Sequence, residues 1–256
     1  QVCTENAIGA ILRGKQVIIA GDSKQLPPTA FFAASIGDTE YDEDSDEYYQ
    51  EGFESVLDEA SVNLNNQPLM WHYRSRHEHL IAFSNAQYYR SNLITFPSNV
   101  ERMEDHGVEY IYLANGVYDR GGTKTNRAEA KKVADLVFEH LNKFPNRSLG
   151  VVAFSSSQSD AIEAAVRAKR LDNPKCEPFF TEEGHEPFFI KNLENAQGDD
   201  RDTIIFSIGY AKDRYGKMSM LFGPLSHEGG ERRLNVAITR AKHNVKLVGS
   251  IRSTDI

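Results

Sequence analysis

Three side chains in this sequence have the chemistry to act on a phosphoryl group. Arg74 and Arg240 each carry a planar, permanently charged guanidinium, which stabilises charge on a transferred phosphoryl group in a way that lysine does not reproduce. Gln25 offers a neutral amide that can bond a phosphate oxygen or an attacking water. Each has an ordinary alternative, because an arginine taken singly is more often a solvated surface charge and Gln25 would also suit a surface turn.

Strand-like and helix-like segments that could position these residues alternate along the chain. Apolar runs predict strands at residues 16–20, 149–154, 188–190, 203–208 and 245–248. Helices are predicted at residues 5–13 and 53–60, and after two further capping sequences. One of these is Asn126 with Glu129 three residues later, which predicts an N-terminal cap followed by an apolar stripe. The alternation predicts an α/β fold with a mainly parallel sheet.

The composition is that of an ordinary globular chain. Of 256 residues, 40% are hydrophobic and 26% charged, and no apolar run approaches the ~20 residues that span a bilayer. We therefore expect a cytoplasmic protein without a membrane partner. Cys3 and Cys176 lie far apart with no CxxC or Cys/His spacing, which argues against a disulfide framework and a structural zinc site.

Negative charge is concentrated in one part of the chain. The formal net charge is −8, but residues 26–72 contain 11 Asp or Glu and no Lys or Arg. The remainder carries a net charge of +3, which permits a phosphate-binding face. Residues 35–52, acidic and without sustained periodicity, predict an exposed loop.

Four sequence blocks resemble motifs of superfamily 1 helicases, and they occur in the same order. Residues 21–29 (GDSKQLPPT) resemble motif III, residues 73–76 (YRSR) motif IV, residues 197–202 (QGDDRD) motif V and residues 231–242 (ERRLNVAITRAK) motif VI. The resemblance is to the 5′→3′ branch that includes the nonsense-mediated-decay helicases, and to bacterial helicase-like proteins. It implies a RecA-like P-loop NTPase fold, with a mainly parallel sheet flanked by helices.

The resemblance assigns roles at a nucleotide site. Arg74 and Arg240 would be arginine fingers, and Gln25 would couple the γ-phosphate of ATP to the nucleic-acid side. Gly198 and Asp200 would contact the nucleotide, although the family commonly has Glu at the position of Asp200, which puts its ribose or metal-side role in doubt. Three other residues of these motifs have two interpretations each. Arg76 and Arg233 would contact either phosphate or the protein scaffold. Asp202 would either serve the nucleotide side or order the turn before the strand that follows motif V.

Four polar residues are candidates for binding nucleic acid: Ser155, Ser156, Gln158 and Asn192. The first three stand where a strand ends and a helix begins, a place where backbone N–H groups can hold a phosphate. The family often has a Thr-Pro-Tyr-like sequence here, which residues 153–155 (AFS) do not match well. A plain helix cap is the alternative for these residues.

Two other motif matches are rejected. Residues 9–15 fit GxxxxGK, but Gln16 replaces the Ser or Thr that would bind Mg²⁺, and the segment runs from helix into strand. His77 and Glu78 match the first two positions of HExxH, the motif of zinc proteases. Ile81 stands where this motif requires its second histidine, so the match is rejected.

These motifs lead to one functional expectation. Residues 1–62 would be the end of a first RecA-like motor domain and residues 63–256 the second. Neither a P-loop nor the acidic Walker B pair is present, so both, with the Mg²⁺ ligands, are expected upstream in the first motor domain. The chain would be the C-terminal motor portion of an ATP-dependent helicase that moves on single-stranded nucleic acid, DNA favoured over RNA, and would be inactive alone. The alternative is a non-catalytic, helicase-like nucleic-acid-binding or regulatory protein.

Overall fold

The chain forms two units. The computed structural model describes residues 2–26, 55–98, 105–181, 186–196, 198–227 and 229–255. The units are Gln1–Pro68 and Leu69–Ile256. The boundary expected after residue 62 falls inside helix α2 (Val56–Asn63), and the assignment of the units to two motor domains stays a prediction. The predicted acidic loop at residues 35–52 lies outside the described residues.

The first unit is described as two short helices, α1 (Thr4–Ile11) and α2. Both were predicted, with slightly different ends. The strand predicted at residues 16–20 is wrong, because this segment forms no ladder and Ile18 is 84% exposed. A strand needs a neighbour to pair with, and none is described beside it in this unit.

The second unit contains a five-stranded parallel sheet. Its strands are β1 (Gly107–Tyr112), β2 (Leu149–Ala153), β3 (Phe189–Asn192), β4 (Arg201–Ser207) and β5 (Ala241–Gly249). They lie in the order β1-β5-β4-β2-β3, and every neighbouring pair is parallel. All amino ends of the strands therefore lie along one edge of the sheet, the amino edge, and all carboxyl ends along the opposite carboxyl edge.

Helices cover both faces of this sheet, as the predicted α/β fold requires. They are α3 (His79–Tyr88), α4 (Arg127–Lys143), α5 (Ser156–Asp172) and α6 (Gly230–Ile238). Val151 packs on the side of α4 and α5, and its neighbour Val152 packs on the side of α3 and α6. Successive side chains of a strand point to opposite faces, so the continuous apolar runs fill two cores. No helix in the described part of the chain is both long and apolar enough to cross a bilayer.

Side-chain caps fix where α4 and α5 begin. Asn126 accepts a hydrogen bond from the backbone N–H of Glu129 at 3.2 Å, as predicted, and Ser155 accepts one from Gln158 at 3.3 Å. At the start of α4, the side chain of Glu129 does not accept a hydrogen bond from the backbone N–H of Asn126, as it would in a capping box. The backbone N–H of Asn126 instead donates to Oε1 of Gln158 at 2.8 Å. These caps place the starts of both helices at the carboxyl edge.

Candidate functional site

The amino edge of the sheet brings Arg74, Asp200 and Arg240 together. Asp200 immediately precedes β4 and Arg240 immediately precedes β5, and these strands are parallel neighbours. The Nε of Arg74 lies 3.8 Å from Oδ2 of Asp200, and its Nη1 donates to the carbonyl of Thr239 at 3.4 Å. Arg74 thus pairs with Asp200, and its bond to Thr239 holds it beside Arg240, which is far from it in the sequence and feels the charge of the same carboxylate.

Arg240 is held firmly at this edge. Its side chain is buried, with 4% of the residue exposed, and its Nε donates to the carbonyl of Val236 at 2.8 Å. Burial, and next the positive charge of Arg74, lower the pKa of Arg240 to about 10, while Asp200 opposes the shift. The guanidinium is still charged at neutral pH. Its terminal nitrogens have no acceptor among the described residues, so they could donate to an anion.

Asp200 lies between two cations. Besides Arg74, Nζ of Lys242 lies 3.7 Å from its Oδ2, and Lys242 also pairs with Glu186. Gly198, two residues earlier, has a φ of +90° and open space where a side chain would stand. That conformation favours glycine and leaves the backbone accessible to a ligand. The nucleotide contacts of Gly198 and Asp200 stay predictions, and Gln197 lies outside the described residues.

Two of the residues with open alternatives have structural partners. Nε of Arg233 lies 3.3 Å from Oε1 of Glu194, which fits a scaffold role. Asp202 accepts from the backbone N–H of Ser148 at 3.1 Å, and Ser148 Oγ accepts from the backbone N–H of Asp202 at 2.9 Å. Asp202 is the second residue of β4, and these bonds join it to the residue before β2, so its ordering of the turn before β4 stays a prediction.

Gln25 lies in the first unit. Its Nε2 donates to Oδ2 of Asp22 at 3.0 Å, and its backbone N–H donates to the carbonyl of Asp22 at 3.2 Å. These bonds close a turn over residues 22–25, which fits the alternative interpretation of Gln25 as a residue of a surface turn. The role of Gln25 toward a phosphate stays a prediction, and residues 27–28 lie outside the described part of the chain.

Three of the nucleic-acid candidates lie together at the carboxyl edge. Ser155 follows β2, Asn192 ends β3, and the Nδ2 of Asn192 donates to Oγ of Ser156 at 2.8 Å. Ser155 caps α5, as its alternative interpretation proposed. These residues are partly exposed at the edge opposite Arg74 and Arg240, and their contact with nucleic acid stays a prediction.

The prediction that Gln158 binds nucleic acid is wrong. Its side chain is fully buried, and its Nε2 donates to the carbonyl of Asn126 at 3.1 Å and to Oγ of Ser207 at 3.0 Å. Its Oε1 accepts from the backbone of Asn126. With both donors and the acceptor committed inside the protein, Gln158 joins α4 and α5 to β4.

Sequence reasoning missed a buried carboxylate beside Gln158. Glu129 is fully buried, and its Oε2 accepts from the backbone N–H of Gly209 at 2.7 Å and from Oγ of Ser207 at 2.9 Å. Its Oε1 accepts from Oγ of Ser250 at 2.8 Å and from Nδ2 of Asn126 at 3.0 Å. The sequence signal was an acidic residue within an otherwise apolar helix face, which we interpreted only as part of a cap. Burial raises the pKa of Glu129 to about 7, against the hydrogen bonds that lower it.

Comparison with known proteins relates this chain to helicases. The family profile described as an AAA domain matches residues 48–252. The uncharacterized ATP-dependent helicase MG140 of Mycoplasma genitalium is 36% identical over 271 aligned positions, and its homolog in Mycoplasma pneumoniae 35% over 268. Each match covers 100% of this chain but 23% of the relative. Helicase sen1 of Schizosaccharomyces pombe is 25% identical over 253 positions, covering 93% of this chain and 13% of that protein.

A solved structure also resembles the chain weakly. It is the crystal structure of the C-terminal domain of a possible DNA helicase from Lactobacillus plantarum WCFS1, with 14% identity and a TM-score of 0.39. The likeness covers 70% of this chain and 87% of that one, and the TM-score is too low to support an argument.

The chain spans about a quarter of the length of the Mycoplasma relatives it matches.

Proposed function

Because the chain belongs to the AAA domain family, of the superfamily 1 helicase type, we propose that it is a motor portion of an ATP-dependent helicase. In this proposal, ATP hydrolysis drives movement on single-stranded nucleic acid, with DNA favoured over RNA. The observation that carries it is the meeting of Arg74 and Arg240 at Asp200, on the amino edge of the sheet.

The two arginines suit the stabilisation of a transferred phosphoryl group. Bound ATP with Mg²⁺ would supply the γ-phosphate and the metal charge that its transfer requires. Arg240, buried and oriented through Val236, would present its terminal nitrogens to the phosphoryl oxygens. Arg74 is partly exposed, and its bond to Thr239 keeps it beside Arg240. We propose that a first motor domain supplies the phosphate-binding loop and the Mg²⁺ ligands.

A catalytic helicase is favoured over a non-catalytic, helicase-like binding protein. The buried and oriented guanidinium of Arg240 supports this choice, because burying a charge is costly unless the charge is used or compensated.

The longer protein that contains this chain tests the proposal. We expect it to release phosphate from ATP and to do so faster with single-stranded DNA, because closure of the cleft between motor domains would depend on the bound strand. Strand-displacement assays on tailed duplexes of DNA and of RNA would then show which nucleic acid is the substrate and in which direction the protein moves along it. Phosphate release that is absent with every nucleic acid, in a protein that still binds single strands, would favour the non-catalytic alternative.

The 256-residue chain by itself is expected to fold but not to hydrolyse ATP. Its second unit has two apolar cores around a five-stranded sheet, whereas arginine fingers act only on a phosphate held in line and neutralised by Mg²⁺. We expect ATP to bind with a Kd of ~1 mM or weaker, since one wall of a cleft holds it poorly. A phosphate-release assay with and without single-stranded DNA checks this expectation. Stimulated release that Arg240→Ala abolishes would contradict it.

A further inference from the structure

A groove crosses the carboxyl edge of the sheet, outside all four motif blocks. One wall is the connection from β1 to α4, with Asn115, Tyr118 and Arg120, and the start of α4 at Arg127. The other wall is the loop after β4, with Arg214 and Tyr215. The groove therefore joins two connections that are distant in sequence, and no role was predicted for either.

Positive charge is concentrated along these two connections. Residues 115–131 contain four Lys or Arg and two Asp or Glu, and residues 212–217 contain three Lys or Arg and one Asp. The whole chain, by contrast, carries −8. Of the three acidic residues, Glu129 is fully buried in its own hydrogen bonds. A local excess of cations on an acidic protein marks a site for a polyanion.

The two remaining carboxylates shape the groove walls. Oδ2 of Asp119 accepts from the backbone N–H and hydroxyl of Thr123 at 2.9 and 3.1 Å. Oδ1 of Asp213 accepts from the backbone N–H groups of Tyr215 and Lys217, both at 2.9 Å. Each carboxylate therefore accepts hydrogen bonds from backbone or hydroxyl groups of its own loop and fixes the conformation of that loop.

Arg214 and Tyr215 form an exposed aromatic and cationic pair. The guanidinium carbon of Arg214 lies 5.0 Å from the ring centroid of Tyr215, and Tyr215 is 80% exposed. Across the groove, Arg120 donates to the carbonyl of Lys217 at 3.4 Å and thereby links the two walls, and its buried Nε has no partner among the described residues. An exposed tyrosine beside arginines suits a stacked base between phosphates.

The groove continues toward the predicted nucleic-acid residues. A second depression shares Thr125 and Arg127 with the first and is lined by Lys131 on α4 and by Ser157 and Asp160 on α5. Ser157 directly follows Ser155 and Ser156. A strand lying on this surface would thus run from Tyr215 past Arg127 to the start of α5.

We infer that single-stranded nucleic acid lies in this groove, with a base stacked on Tyr215 and phosphates bound by Arg127, Arg214 and Lys131. The inference rests on the proposed helicase function and adds a binding surface outside the motifs. Stacking and phosphate contacts are independent of base identity, so binding is expected to show little sequence preference.

The inference is tested by measuring how tightly the 256-residue chain binds a fluorescein-labelled oligo(dT). The oligonucleotide has about 15 nucleotides, a length within the site sizes of single-strand-binding folds. Anisotropy is measured without nucleotide over a range of salt concentrations. The double variant Arg127→Ala/Arg214→Ala should raise the Kd about tenfold or more at low salt. The slope of log K against log salt should fall by about 0.7 for each phosphate that the variant no longer neutralises. The matched control is Arg167→Ala/Lys175→Ala, which removes two exposed cations elsewhere and should change the Kd less than about twofold.

Two substitutions of Tyr215 distinguish the loss of base stacking from the loss of charge or of folding. Tyr215→Ala should raise the Kd about fivefold or more, whereas Tyr215→Phe keeps the ring and should bind like the unaltered chain. Thermal melts of each variant show whether it is folded.

Three outcomes overturn the inference. If the groove variants bind single strands as the control does, the groove is wrong while the helicase proposal stands. If they weaken binding of a blunt duplex but not of single strands, the groove serves a duplex instead. If the unaltered chain binds no oligonucleotide at low salt, the groove is wrong and the nucleic-acid part of the proposed function fails with it.

Discussion

Arg240→Ala in the longer protein is expected to lower ATP turnover by about 10³-fold or more, the effect typical of a lost arginine finger. The charge is needed most in the transition state, when negative charge on the phosphoryl oxygens is largest. ATP binding should weaken far less than turnover. Arg240→Lys should also be slow, because an ammonium group does not reproduce the fork that Val236 orients. Steady-state phosphate release and nucleotide-binding titrations measure the two effects separately.

Two controls accompany this measurement. Arg167→Ala removes an exposed arginine on α5 that pairs with Glu163, and it should leave turnover unchanged. Because Arg240 is buried, the melting temperature of each variant is compared with that of the unaltered protein. Turnover of a folded Arg240→Ala variant within about threefold of the unaltered enzyme, roughly 0.7 kcal/mol in the barrier, would exclude the finger role.

Glu129→Ala is expected to lower the free energy of unfolding of the chain by about 3 kcal/mol or more. The substitution leaves four buried donors without their acceptor, from Asn126, Ser207, Gly209 and Ser250, and each buried unsatisfied group costs about 1–3 kcal/mol before relaxation. Urea unfolding gives the value. Glu163→Ala, an exposed glutamate on α5, is the matched control and should cost less than about 0.5 kcal/mol.

The same residue predicts how stability depends on pH. Burial raises the pKa of Glu129 in the folded chain to about 7, above its ordinary value of 4.5. The folded state therefore holds this proton more tightly than the unfolded state. The stabilising effect of that proton is complete below about pH 4.5 and is lost as the pH rises through about 7. Glu129→Gln, which cannot titrate, should lack this part of the pH dependence, and identical profiles for both proteins would contradict the assignment.

Local pattern in the sequence was enough to predict four of the five strands of the sheet, whereas the candidate site residues came from the resemblance to helicase motifs. Continuous apolar runs predicted β2 to β5 because strands covered on both faces need no polar alternation. Parallel strands require their amino ends to share an edge, which is why Asp200, before β4, and Arg240, before β5, lie near each other. Arg74 precedes no strand, and its contacts with Asp200 and Thr239 bring it to this edge. The caps of α4 and α5 could be predicted from local sequence because a cap depends on residues that are close together in the chain.

What the sequence could not predict depended on neighbours from elsewhere in the fold. The edge strand β1 was not predicted, although Tyr110, Ile111 and Tyr112 form a short apolar run; it pairs on one side only, with β5, and half of its residues are exposed.

Gln158 and Glu129 look like surface helix residues in the sequence. Tertiary packing of α4 and α5 against the ends of β4 and β5 buries both of them. The groove at the carboxyl edge exists only because the connections after β1 and β4 lie side by side. The sequence by itself thus determined most elements of the second unit and the order of the motifs. Burial and long-range hydrogen bonding, which no local pattern encodes, decided which polar residues serve the fold and which remain available to a ligand.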